Sequence, residues 1–255
     1  MAPAAKAWNR LNVLAGYGQT AGAALAAHED VDKVAFTGST EVGKLIVKAA
    51  AGNQKKVTLE PGGKSPVIVL DDADLEQVIP GAAGTICFNH GQCCCAGSHL
   101  MVHKKIFGKV VAGVADQAKH IKLGPGLDPL TQMRPLVSDE QFQRVTGYIR
   151  SGVVREEIFG PVVCAQPITD EDLEAIAREA NNTTYGLAAS VWSRDISKEN
   201  KLAKRVRTGT VWVNCHNVFD ASPPFAGYKE SGWGREMGEF VLNNYTEVKA
   251  VTTAL

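Results

Sequence analysis

The stretch Lys33-Val34-Ala35-Phe36-Thr37-Gly38-Ser39-Thr40-Glu41-Val42-Gly43, continued by Lys56-Val57-Thr58-Leu59-Glu60, decides the fold. Lys33 to Thr37 has the composition of a strand, and Gly38-Ser39 breaks it at a turn. Glu41 to Ala51 then sets Val42, Leu45, Ile46 and Ala49 at helical spacing, and Lys56 to Glu60 reads as the next strand. Upstream, Leu11 to Ala15 is a short apolar strand, Gly16-Tyr17-Gly18 turns it, and Thr20 to His28 is an alanine-rich helix. The sum is a βαβαβ unit, the half-module of a Rossmann-like dinucleotide-binding fold.

Strand and helix patterns keep alternating downstream, which specifies an α/β protein with parallel sheet. Pro66 to Leu70 is a β-branched run suited to burial on both faces. Asp71-Asp72-Ala73-Asp74 supplies carboxylates for the start of a helix from Leu75 to Phe88. Strand His99 to His103, helix Phe107 to His120 and helix Asp139 to Arg150 come next. A third series begins at Val162-Val163: helix Glu171 to Asn181, strand Ala188 to Trp192, helix Ser197 to Val206, strand Thr210 to Asn214. Glu247 to Thr253 reads as a terminal strand.

With 255 residues the chain can bury a substantial core. Hydrophobic residues make up 45%, and 27 basic side chains balance 27 acidic ones, so no nucleic-acid footprint is visible and a small-molecule partner is expected. No apolar run reaches the roughly 18 residues of a membrane span, and Met1 to Arg10 has no apolar signal core. Six cysteines, three of them contiguous, suit a reducing compartment, and the cytoplasm is the expected location.

The contiguous cysteines lie in Phe88-Asn89-His90-Gly91-Gln92-Cys93-Cys94-Cys95-Ala96-Gly97-Ser98, a glycine-flanked loop after a helix, and it reads as a nucleophile loop. Neighbouring cysteines on one loop cannot easily supply several ligands to one tetrahedral ion, and no His-x-x-His or second Cys-x-x-Cys completes a set, so neither a metal site nor a disulfide is expected; adjacent side chains on an extended loop point different ways, so Cys93 and Cys95 read as bystanders. Cys87, Cys164 and Cys215 read as packing residues. Gly16-x-Gly18-x-x-x-Gly22 and the turn at Gly38-Ser39 are two glycine turns that lead into helices, where backbone N–H groups favour an anion. Glu60 ends a strand before Pro61-Gly62-Gly63-Lys64; it is either a base facing a ligand crevice or an exposed turn carboxylate. Lys64 is either a surface charge or a partner for Glu60. Arg155-Glu156-Glu157-Ile158-Phe159-Gly160-Pro161 either grips a sugar while Phe159 packs on a flat ring, or is a solvated charge cluster.

Together these segments resemble the NAD(P)+-dependent aldehyde dehydrogenase family. The resemblance rests on Phe36-Thr37-Gly38-Ser39, Leu59-Glu60-Pro61-Gly62-Gly63-Lys64, Gly91-Gln92-Cys93-Cys94-Cys95-Ala96-Gly97, Glu156-Glu157-Ile158-Phe159-Gly160-Pro161, Gly227-Tyr228-Lys229-Glu230-Ser231-Gly232 and Tyr245-Thr246-Glu247-Val248-Lys249. It implies an incomplete Rossmann-like half-domain (1–62), an α/β catalytic thiol domain (63–240) and a C-terminal oligomerisation strand (241–255). Implied, too, are Cys94 as nucleophile towards an aldehyde and Glu60 as the base that releases the acid from a Cys94 thioester. Gly38 and Ser39 would contact the pyrophosphate of NAD or NADP, Gly18, Gly22 and Val42 the adenosine end, and Glu157 and Phe159 the nicotinamide riboside. The partner is then a small-molecule aldehyde, with a homo-oligomer formed through the terminal strand.

Members of that family are roughly twice as long as this chain. The resemblance therefore implies a missing N-terminal part, which carries an oxyanion-binding Asn and a ribose-gripping Lys, and a second gap at Ser151-Gly152-Val153. Unpaired strand edges and exposed apolar surface should follow. Pro61 stands where leucine is usual, and His99 where arginine is usual. A truncated chain that acts only through association, and a cofactor-independent thiol esterase using Cys94 and Glu60, are the competing expectations. Phe219 and Trp233 point to an apolar substrate lining.

Overall fold

The computed structural model describes residues 11–151, 155–169 and 172–254. The expectations placed on Met1 to Arg10, on residues 152–154 at the second gap, and on Glu171 at a helix start lie outside them. The elements are α1 (Ala23–Ala27), β1 (Lys33–Thr37), α2 (Thr40–Ala50), β2 (Lys56–Glu60), β3 (Pro66–Val69), α3 (Leu75–Cys87), β4 (His99–His103), α4 (Phe107–Lys119), α5 (Asp139–Ser151), β5 (Cys164–Ile168), α6 (Leu173–Ala180), β6 (Ala188–Trp192), α7 (Ile196–Arg205) and β7 (Thr210–Val213). Strands β1 and β2 form a two-stranded parallel sheet; the other five form a parallel sheet in the order β5-β4-β3-β6-β7.

The large sheet carries the core. Alternation along β3 sends Val67 and Val69 to the face covered by α3 and α4, where they meet Leu100, Val102, Val78, Val110 and Trp192. Ile68 and Leu70 go to the opposite face with Met101, Val191, Ile176 and Leu202 from the α6–α7 side. Each such side chain is essentially inaccessible, and each contributes roughly 1.5–3 kcal/mol through burial. The unbroken apolar reading of Pro66 to Leu70 thus follows from a central strand covered on both sides. Pro167 lies in β5, an edge strand, where a missing N–H leaves no ladder bond unmade within the sheet.

Helix α2 starts where Ser39 Oγ accepts the Val42 N–H at 3.3 Å. Asp74 caps α3 in the same way, while Asp71 takes Lys105 and Asp72 takes the Ser193 hydroxyl and the Arg194 N–H. The acidic run therefore serves one helix cap and tertiary contacts to Lys105, Ser193 and Arg194.

Two expected strands are absent. Leu11 to Ala15 enters no ladder, and Leu11, Val13 and Leu14 are 77%, 87% and 76% exposed. Without it the βαβαβ half-module reduces to β1-α2-β2, preceded by a widened turn at Gly18–Gly22 that runs into α1. Glu247 to Thr253 likewise forms no strand. A strand needs a neighbour to pair with, and among the described residues neither segment has one. The tail is held instead by side chains: Lys56 bridges Glu247 at 2.5 Å, and the Lys33 ammonium sits 4.7 Å from the Tyr245 ring centre. The β1 edge away from β2 has no partner among the described residues, as unpaired edges were expected.

Candidate active site

Three loops converge between the C-terminal end of β2 and the N-terminal ends of β3 and β4. The first runs from Glu60 to Ser65. Its glycines permit close approach: a Cβ on Gly63 would lie 2.8 Å from the Cys94 backbone oxygen, and one on Gly62 would collide with the Glu157 carboxylate. The second is the cysteine loop, in which Asn89 and His90 hold left-handed φ values of 47° and 50° and Gly91 holds 69°. The third, the Phe159 loop, packs on Gly91 so tightly that a Cβ there would fall 2.1 Å from the Gly160 oxygen. Gln141 of α5 fastens that loop by donating to the Phe159 carbonyl at 2.8 Å.

The loops enclose a cavity of about 220 Å³. Cys94, Glu60, Gly38, Ser39, Glu157 and Phe159 all line it, together with Gln141 and Arg144. Gly18, Gly22 and Val42 line a second, largely apolar cavity of about 390 Å³ with Phe36, Leu45 and Ala49. The first turn of α2 separates the two, with Ser39 on one side and Val42 on the other. A Cβ on Gly18 or Gly22 would meet nothing within 4 Å, so the space beside both glycines is open. Room for a flat ring, a helix N-terminus for phosphates and a second cavity beyond fit a dinucleotide.

Glu60 is 7% exposed, and neither carboxylate oxygen has a hydrogen-bond partner. Burial, reinforced by the negative charge of Glu236 and opposed by Arg235, pushes its carboxyl up to about 8. The exposed-turn reading is therefore wrong. Glu157 is pushed up to about 7, chiefly by burial, while the Gly63 N–H at 3.1 Å, Arg144 and Lys64 favour its ionised form. Glu156 faces outward and accepts from the Tyr148 hydroxyl. Lys64 is neither a surface charge nor hydrogen-bonded to Glu60. It is 2% exposed with its ammonium 3.8 Å from Cys164 Sγ, so Cys164 is more than packing.

The bystander reading of Cys93 and Cys95 also needs correction. The Ala96 N–H donates to the Cys93 oxygen at 3.0 Å, and this turn folds the three residues so that their sulfurs converge within 4.8 Å of one another. Hydrogen bonds from Cys94 and Cys95 pull the Cys93 thiol down to about 3. The bond to Cys93 and burial push Cys94 up to about 12, and Cys95 is pushed up for the same reasons. One negative charge is thus shared by the cluster, and a second is opposed. Cys95 is anchored by the Asn217 side chain at 3.1 Å and by His216 Nε2 at 2.9 Å from its carbonyl. Phe219 belongs to an aromatic group with Trp212 and Phe225, and the latter two pack on the cysteine cluster. Trp233 is elsewhere, beside Leu59 and Gly43, so these two aromatics share no lining.

Gln141 and Arg144 were not singled out by sequence. Their spacing of three on a helix puts them on one face, but nothing local tells that face from solvent.

Comparison with known proteins fits this geometry. The model of the aldehyde dehydrogenase family matches residues 8–154 and 150–251. The chain belongs to the aldehyde dehydrogenase family. It is 44% identical to the human mitochondrial aldehyde dehydrogenase over 95% of its own length and 53% of that protein's. The mitochondrial benzaldehyde dehydrogenase of Antirrhinum majus is 42% identical over 96% of this chain and 52% of its own. Among solved structures, the NAD+ complex of a Bacillus cereus aldehyde dehydrogenase superposes with a TM-score of 0.89 at 45% identity, covering 92% of this chain and 55% of that one. The chain spans about half the length of the relatives it matches. Among the described residues, no helix is long and apolar enough to cross a membrane.

Proposed function

We propose that this chain carries the acyl-forming site of an enzyme that oxidises an aldehyde to a carboxylic acid with NAD+ or NADP+. The observation that supports it is the single cavity lined at once by Cys94, Glu60 and the Gly38-Ser39 turn. Gly18, Gly22 and Val42 would hold the adenosine end, Gly38 and Ser39 the pyrophosphate, and Glu157 and Phe159 the nicotinamide riboside. When bound, the cofactor supplies the two-electron oxidant.

This chain's own residues do the rest. The cysteine cluster carries one shared negative charge, and the sulfur of Cys94, the member that lines the cavity, uses it to add to the aldehyde carbon and give a thiohemiacetal, the proton staying within the cluster. After oxidation the acyl group is a thioester on Cys94. Glu60, unpartnered and with a pKa near the working range, takes a proton from water, which attacks the thioester and releases the acid. Appearance of NADH from folded protein mixed with aldehydes tests the proposal. Its absence from a chain that binds NAD+ and keeps a reactive Cys94 would reject it.

A second reading concerns assembly. The open β1 edge and the exposed Leu11, Val13, Leu14, Val248 and Val251 favour association with further polypeptide, including other copies. Light scattering that finds a clean monomer would count against it. Turnover of a nitrophenyl ester that survives Cys94→Ala would remove the cofactor-independent esterase reading. The free thiols support a reducing compartment such as the cytoplasm.

A further inference from the structure

The convergence of three consecutive sulfurs has a use that aldehyde chemistry does not require. In a tetrahedral site with zinc–sulfur bonds of about 2.3 Å, sulfurs stand about 3.8 Å apart. Here Cys93 Sγ and Cys95 Sγ are 3.5 Å apart, and all three sulfurs lie within 4.8 Å of one another. Side-chain rotations that move the sulfurs by up to about 1 Å would close that set on one ion. The turn bonded from Ala96 to Cys93 already fixes the backbone that presents them.

Among the described residues, no imidazole joins the three sulfurs. His216 directs Nε2 to the Cys95 carbonyl and Nδ1 to the Ser190 hydroxyl at 3.0 Å. Cys94 lines the cavity, so an ion can reach the three sulfurs from it, and water can fill the fourth position. A divalent ion suits this set better than a monovalent one, because three thiolates together bring more negative charge than a single positive charge offsets.

We propose that Cys93, Cys94 and Cys95 form a binding site for a thiophilic divalent cation of the zinc class, which reversibly withdraws Cys94 from reaction. On binding, each thiol still protonated gives its proton to solvent. Three sulfur–metal bonds form, all but one of the ion's waters leave, and no electron is transferred. The binding needs only the three sulfurs; the withdrawal from reaction rests on Cys94 being the nucleophile proposed above.

The test uses the full chain and Co2+ as probe, since sulfur-to-cobalt absorption reports bound thiolates, with Zn2+ then displacing it in competition with a chromophoric chelator. One ion per chain is expected. Cys93→Ser and Cys95→Ser should each weaken binding by more than the roughly 10- to 100-fold that loss of a mere supporting residue costs. Cys87→Ser, Cys164→Ser and Cys215→Ser should bind as the parent does. Should a variant fail to fold, alkylation of the parent chain answers the question: Zn2+ should shield Cys93, Cys94 and Cys95 together, and a chelator should expose them. Absent sulfur–cobalt absorption, absorption that persists in Cys93→Ser and Cys95→Ser, or unshielded alkylation would overturn the proposal. Full cobalt absorption in a chain whose Cys94 never accepts an acyl group would leave the metal site standing and reject the catalytic reading instead.

Discussion

Replacing Glu60 with glutamine removes a buried, unpartnered carboxylate while keeping its shape, and the consequence is a change in how stability depends on pH. The carboxyl moves from an ordinary 4.5 to about 8 in the folded chain, first because it is buried. Between those values the folded state keeps a proton that the unfolded chain gives up, so stability is lost as pH rises through that window. The two pKa values make the ionisation penalty about 1 kcal/mol at pH of about 5 and about 5 kcal/mol at pH of about 9. Water entering along the open side of the cavity discounts the difference, leaving about 2–4 kcal/mol. The glutamine variant carries no such term. Urea unfolding of both proteins across this range should show the variant's advantage growing by about 2–4 kcal/mol from the acid to the alkaline end. Parallel pH profiles, within about 0.5 kcal/mol, would mean a solvated carboxylate and would refute the reasoning.

Gly91→Ala forces a Cβ against the Gly160 carbonyl at a φ of 69°, and should cost about 2–3 kcal/mol or more, read as a fall in melting temperature. An unchanged melting temperature would mean that the cysteine and Phe159 loops do not pack as described. Hydrolysis of the acyl-enzyme should accelerate with pH and level off above about 8, following ionisation of Glu60, in single-turnover measurements. A profile that is flat across that range would assign the base elsewhere.

The fold was legible where local pattern and environment agree. The β-branched run at Pro66 to Leu70 reads as a central strand and is one, because burial on both faces leaves no polar position to disguise it. Leu11 to Ala15 and Glu247 to Thr253 have strand composition, yet pairing is a property of the neighbour, which composition does not encode. At the site, the glycine-flanked cysteine loop was legible as a nucleophile loop, whereas Cys94 and Glu60 received their roles from the family resemblance, and the cavity brings the two together. The contributions of Gln141 and Arg144 depend on how α5 is docked. The clustering of Cys93 with Cys95 depends on a single turn hydrogen bond, and an assumption of extended backbone pointed the other way.

The central claim is that the residue-94 sulfur receives an acyl group which the residue-60 carboxylate helps water remove. Intact-mass and peptide mapping of the Glu60→Gln chain after exposure to a nitrophenyl ester measures this directly, with no cofactor needed. One acyl group should persist, on Cys94, in the variant, while the parent returns to its free mass. An acyl group on Cys93 or Cys95, or one lost from the variant as fast as from the parent, would contradict the account.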